Sequence, residues 1–242
     1  MSDAFTQATG RSLEQDAGAN QRRYRAYQLE LMAPWFGRSL LEVGAGLGEF
    51  AAQVGGLARH VVTDVDPQAV AALARRFAGR PEVEARVLDL AADPDTERGE
   101  TGEPVHAVLA INVLEHIEDD AEALRRMAAL AEPGGRVVIW VPGYQQLYGE
   151  FDRAVGHVRR YTPATLRDAF ERAGLEPVEI KPVNLLGGVA WWLMVRRGGV
   201  GGQKPRLVRI YDRFVVPTTR FVERRVTPPF GQSVLGVASV PR

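Results

Sequence analysis

Cysteine is missing from all 242 positions, which excludes a thiol nucleophile, thiolate-bound zinc and any disulfide framework. Long apolar runs are missing as well. The longest, 185–195, is broken by Gly187 and Gly188 and falls short of the ~20 residues that span a bilayer. Ser2 to Gln21 is polar and lacks the apolar core of a secretory signal, so a soluble, cytoplasmic protein is expected. There is no net charge, with 30 basic against 30 acidic side chains. That balance gives no drive for phosphate neutralisation, and a specific nucleic-acid partner is not expected. Histidines number only four, so an imidazole base has few candidates.

What is present is an alternation of short apolar runs with helix-period segments. Strands are expected at 39–43, 60–64, 83–89, 105–111, 136–141, 176–182 and 233–240, and helices at 21–32, 47–54, 67–77, 119–131 and 163–173. Pro67 suits a first helical turn, where its missing N–H would be orphaned anyway. Thr162 before Pro163 reads as an N-cap. Near-continuous apolar strands alternating with helices mean an α/β fold: a Rossmann-like, mostly parallel seven-stranded sheet covered on both faces. No ordinary crossover helix joins the last two strands, so the last one should run antiparallel. The divisions expected are a helical lid segment at 1–36, a core at 37–183, an insertion at 184–229 and the last core strand at 230–242. The insertion should hold amphipathic helices near 207–214 and 218–225.

The strongest chemical signal is the run from Leu40 to Phe50, a strand entering Gly44-Ala45-Gly46-Leu47-Gly48. Glycines let a backbone turn tightly and approach a ligand with no Cβ in the way. The dinucleotide fingerprint wants a sixth-position glycine, but Glu49 stands there and would put a carboxylate near a pyrophosphate. That disfavours NAD and FAD. The turn suits S-adenosyl-L-methionine, which has an amino-acid tail and a sulfonium but no phosphate; Glu42 could receive the tail's ammonium through water. About twenty residues on, Asp64, followed by Val65, ends the second strand where a ribose-binding acid belongs. Asp66, beside Pro67, reads instead as a helix N-cap. Asp89 ends the third strand and could accept from the adenine amine, with Leu90 against the ring.

These motifs, followed by Ala110-Ile111-Asn112-Val113-Leu114-Glu115-His116 and Glu132-Pro133-Gly134-Gly135, resemble the successive motifs of class I S-adenosylmethionine-dependent methyltransferases. The nearest subgroup includes the ubiquinone-biosynthesis O-methyltransferases. The resemblance runs from Gln21 to about Ala173. It implies a cofactor site above the first two strands and an acceptor site over the fourth and fifth. It also implies that Asn112 lines the methionyl side, and that a lid carrying Tyr24 and Tyr27 folds over the cofactor.

His60 and His106 fall at strand starts, the wrong end of a parallel sheet for a site. His157 sits after the fifth strand among Tyr144, Tyr148, Asp152 and Tyr161, and is the first choice for general base. His116 either faces the acceptor or braces the helix that follows. Arg159 and Arg160 could grip an acidic substrate group or pair with surface acids. No metal ligand set is expected. The Asn/Asp-Pro-Pro-aromatic motif of nucleic-acid amine methylation is absent after the fourth strand, so a small-molecule acceptor is expected, oxygen ahead of nitrogen or carbon. The alternatives are an adenosylmethionine-binding cyclase or binding protein and, further off, an NAD-dependent dehydrogenase. From Arg196 to Arg225 nine basic residues face only Asp212 and Glu223. With Trp191, Trp192, Leu193 and Met194 nearby, the insertion reads as a lid or dimer contact, or as a surface for a membrane or an anionic, lipid-like acceptor.

Overall fold

The computed structural model describes residues 21–90, 102–196 and 205–242. Seven strands form one sheet: β1 (Ser39–Val43), β2 (Arg59–Asp64), β3 (Val83–Val87), β4 (Val105–Ile111), β5 (Ala131–Pro142), β6 (Glu176–Val183) and β7 (Ser233–Ser239). Their order is β3-β2-β1-β4-β5-β7-β6. β7 alone runs antiparallel, pairing with β5 on one side and β6 on the other. Strand order reverses between β1 and β4, and such a reversal opens a crevice at the carboxyl ends of the strands.

Both faces of the sheet are buried, which is why the strands read as continuous apolar runs. Leu41, Val108, Ile139 and Val234 face one layer, joined by Leu124, Leu166 and Phe170 from α3 (Asp120–Ala129) and α5 (Pro163–Arg172). Leu40, Leu109, Trp140 and Leu235 face the other, where Tyr27 and Met32 of α1 (Arg22–Met32) complete the core. Between β2 and β3 lies α2 (Pro67–Arg76). Asp66 caps it, accepting from the Gln68 N–H at 2.9 Å. Thr162 caps α5, as its place before Pro163 implies.

Several elements differ from expectation for visible reasons. The helix at 47–54 is only a 3-10 turn, Ala51–Gln53. Gly48 and Gly56 both take left-handed φ values on either side of it, leaving too few residues to nucleate a helix. β5 starts at Ala131 rather than 136, because Val105 pairs with Ala131 across an irregular register. A short helix, α4 (Glu150–Val155), stands in what reads as loop.

The insertion opens with α6 (Leu185–Arg196), whose apolar residues lack a helical period. The two amphipathic segments are one continuous helix. It comprises α7 (Pro205–Ile210), a π-helical turn (Tyr211–Val215) and α8 (Val216–Glu223). No helix among the described residues is long and apolar enough to cross a membrane.

Candidate active site

β1 ends at Val43, and the chain turns through Gly44 (φ +66°) and Gly46 (φ +56°), conformations that a side chain strains. The Ala45 N–H binds the Thr63 carbonyl at 2.7 Å, tying the turn to β2. Asp64, the last residue of β2, accepts from the Gly46 N–H and the Asp66 N–H, both at 3.0 Å. Its carboxylate is thus held against the turn. A Cβ at Gly44 would meet Val113 at 2.7 Å, whereas one at Gly46 would enter open space. Gly48 has a different job, since a Cβ there would run into Leu73 and Phe77 of the α2 region at 2.8 Å. Exposed apolar side chains rim this corner: Leu47 (42%) and Val65 (50%).

The pieces present fit an adenosyl group. There is a backbone cradle open over Gly46, a fixed carboxylate beside it and an apolar rim. Without a helix after the turn there is no macrodipole to hold a pyrophosphate. Glu49 faces Arg76 at 2.7 Å. Asp89 lies exposed two residues past the end of β3, while Leu90 packs on the core beneath. Asn112 follows β4 with φ +54° and its N–H on the Trp140 carbonyl. Glu42 is buried under the turn, its carboxylate 3.6 Å from the His60 imidazole.

The family model described as a methyltransferase domain matches residues 15–180. The chain belongs to this methyltransferase-domain family. A ubiquinone biosynthesis O-methyltransferase from Methylobacterium nodulans is 30% identical over 178 residues, covering 67% of this chain and 69% of that protein. Three other curated relatives match over only 40–43% of their own length. Among solved structures, a chain of the complex between the Haloferax volcanii Trm112 methyltransferase activator and a methyltransferase aligns over 98% of both chains, at TM-score 0.63 and 17% identity. The trans-methyltransferase CalH, solved with S-adenosylhomocysteine, aligns over 88% of this chain and 54% of its own at TM-score 0.57 and 22% identity. At such identities the likeness is one of fold. Membership of that family makes S-adenosylmethionine the protein's cofactor.

A second group of polar and aromatic side chains packs over β5 and β7. Tyr24 stands here, two strands from the glycine turn, edge-on to Trp140 at 6.2 Å and to Tyr211 at 6.5 Å. It thus lies towards the side expected for the acceptor. Burial pushes its phenol up, opposed by the nearby Ser233 hydroxyl. Trp140 is fully buried. Asn184, buried at the end of β6 with φ +63°, accepts from Tyr211 and donates to Gln232. Tyr27 hydrogen-bonds Glu223, which also receives the Asn184 and Leu185 N–H groups.

Beside this lies an imidazole cluster. His157 is buried, its Nδ1 2.7 Å from Asp152 Oδ1. Asp152 also accepts both prongs of Arg160, at 2.8 and 3.0 Å, and the Gly149 N–H. Burial works against its charge, but His157 and Arg160 outweigh that and hold the carboxyl below its usual range. With an ionised Asp152, Nδ1 is the donor of that bond. Nε2 points to Glu115 at 3.7 Å, and the His116 ring stands edge-on to His157 at 4.7 Å. The ligand atoms of Glu115, His116 and His157 all lie within 4.8 Å of one another, close enough to converge on a cation. His116 is the more accessible of the two rings.

Three readings that the sequence left open between two outcomes are narrowed by the structure. Arg160 is not available to a substrate anion, because it is committed to buried Asp152. Arg159 is likewise held, by Asp120 at 2.9 Å and the Glu118 carbonyl. Trp191 is no surface wedge: it is 6% exposed, with its indole donating to the Leu147 carbonyl and Arg160 over its ring. The side chains of Met194 and Arg196, and all of Arg197, lie outside the described residues.

Proposed function

We propose that the protein transfers a methyl group from S-adenosylmethionine to an oxygen of a small molecule seated over β4 and β5. The observation that carries the cofactor half is Asp64, locked by two backbone N–H groups beside the open space over Gly46. When bound, the cofactor supplies an electrophilic methyl. The chain must align the acceptor with it and remove a proton if the acceptor carries one.

The imidazole cluster is suited to that second task. Asp152 fixes the His157 tautomer and stabilises positive charge on the ring, as a carboxylate–histidine pair does in acyl transfer. His116, the more accessible ring, takes the acceptor proton and His157 braces it. Transfer of the methyl to the acceptor oxygen would break the carbon–sulfur bond and leave a neutral thioether. Oxygen is favoured because relatives carry the name O-methyltransferase. The half-buried Tyr24 and Tyr211 give that side aromatic walls.

Titration calorimetry with S-adenosylmethionine, S-adenosylhomocysteine and NAD tests the cofactor half. Binding of the first two and not the third is expected. Asp64→Ala should weaken it by ~1.5–3 kcal/mol, the value of hydrogen bonds to a charged group. An unchanged affinity refutes the assignment. A screen of hydroxylated aromatic acceptors tests the other half, and tight cofactor binding with no turnover would mark a protein that does not transfer methyl.

A further inference from the structure

The continuous helix from Pro205 to Glu223 is amphipathic in an unusual sense: its carboxylates lie on the inner side. Asp212 is 8% exposed and accepts from the Arg23 and Tyr24 N–H groups at the start of α1. Glu223 receives Tyr27 and the N–H groups opening α6. With both acids turned in, the described outer side carries exposed apolar side chains and cations and no acid. Phe214 and Phe221 are each 61% exposed, and Ile210 and Val226 stand out beside them. Ile210, Phe214 and Phe221 recur at spacings of four and seven, which is one helix face. Arg209, Arg213 and Arg225 are exposed along the same helix and its end. Arg213 lies over the Phe214 ring at 5.6 Å and Arg225 over Phe221 at 3.9 Å. Neighbouring Arg220 and Arg224 share Glu30 of α1, so that acid is already neutralised.

Such a face suits one kind of partner. A second copy of the chain meeting it about a twofold axis would set cation against cation. A bilayer containing anionic phospholipid offers the complement, with hydrocarbon for the rings and phosphates for the guanidiniums. We propose that the outer face of the α7–α8 helix docks the protein onto an anionic membrane surface, lying in the plane of the interface with Phe214 and Phe221 inserted. The proposal does not depend on which acceptor is methylated.

Vesicle co-sedimentation tests it on the full chain at 50 mM salt, about the range in which surface charge is weakly screened. Vesicles of phosphatidylcholine with about a third phosphatidylglycerol should pellet the protein, and phosphatidylcholine alone should do so far less. Phe214→Ser with Phe221→Ser should lower partitioning at least about tenfold, as the loss of two inserted rings implies. Arg209→Glu with Arg213→Glu should abolish the preference for the anionic lipid. Val178→Ser, an exposed apolar site on β6, should change nothing. Circular dichroism and thermal melting confirm that each variant is folded. The proposal is overturned if wild-type protein does not pellet with the anionic vesicles, or if the double Phe variant pellets like wild type. It is equally overturned if light scattering shows a dimer that the Phe variant dissociates.

Discussion

Asp152→Ala is the substitution whose cost the structure lets one work out. The carboxylate accepts four bonds: the Gly149 N–H at 2.8 Å, Arg160 Nε at 2.8 Å, Arg160 Nη2 at 3.0 Å and His157 Nδ1 at 2.7 Å. None of these donors regains water easily, since the Arg160 side chain is 3% exposed and that of His157 5%. Removing one member of a buried pair leaves the other charge uncompensated and costs ~3–5 kcal/mol. For a chain of this length each kcal/mol moves the melting temperature by ~2–4 °C, so a fall of about 6–20 °C is expected. Urea unfolding followed by circular dichroism should show a lower midpoint with an unchanged slope. Adding Arg160→Met should recover part of the loss, because the orphaned charge goes with it. A loss below ~1 kcal/mol, or no recovery in the double variant, would show that Asp152 is not the buried counter-charge holding the loop after β5.

Three more expectations follow from the same geometry. Gly48→Ala should destabilise by ~2–5 kcal/mol, from left-handed strain plus overpacking against Leu73 and Phe77, read as a urea midpoint. Gly46→Ala should cost only the strain, ~1–2 kcal/mol, yet weaken S-adenosylmethionine binding in calorimetry, because its new methyl enters the open space over the turn. Asp120 and Asp152 both have carboxyls held below their usual range, Asp120 because Arg172, Tyr161 and Arg159 outweigh the burial that opposes its charge. Their stabilisation is therefore fully present above an unfolded value of ~3.9 and is lost as pH falls through the lower folded values. Melting temperatures from pH 6 to 2.5 should drop steeply at the acid end in wild type and less steeply in Asp120→Asn.

The parts legible in the sequence are those governed by neighbours along the chain. Gly44, Gly46 and Asp64 sit where a strand meets a turn, and Pro67 announces both its helix and the cap at Asp66. The parts that escaped depend on distant partners or on competing local terms. Nothing near Glu223 reveals that it serves Tyr27, 196 residues away. Nor does anything near Asp212 mark it as the residue that satisfies the first N–H groups of α1. The 47–54 helix failed because glycines that serve the turn also starve the helix. α6 was missed because an evenly apolar segment carries no period to read. Arg160 reads as a surface cation until the loop after β5 folds around Asp152, and the Asp152–His157 contact, five residues apart, needs α4 in place before it exists.

The two inward carboxylates of the α7–α8 helix make it inseparable from α1. Asp212 grips the first N–H groups of α1 and Glu223 its Tyr27 hydroxyl, so α1 cannot swing away while the insertion stays put. The two segments, far apart in the chain, pack together over the interior strands β5 and β7. Loss of either one therefore strips buried hydrogen-bond partners from the other.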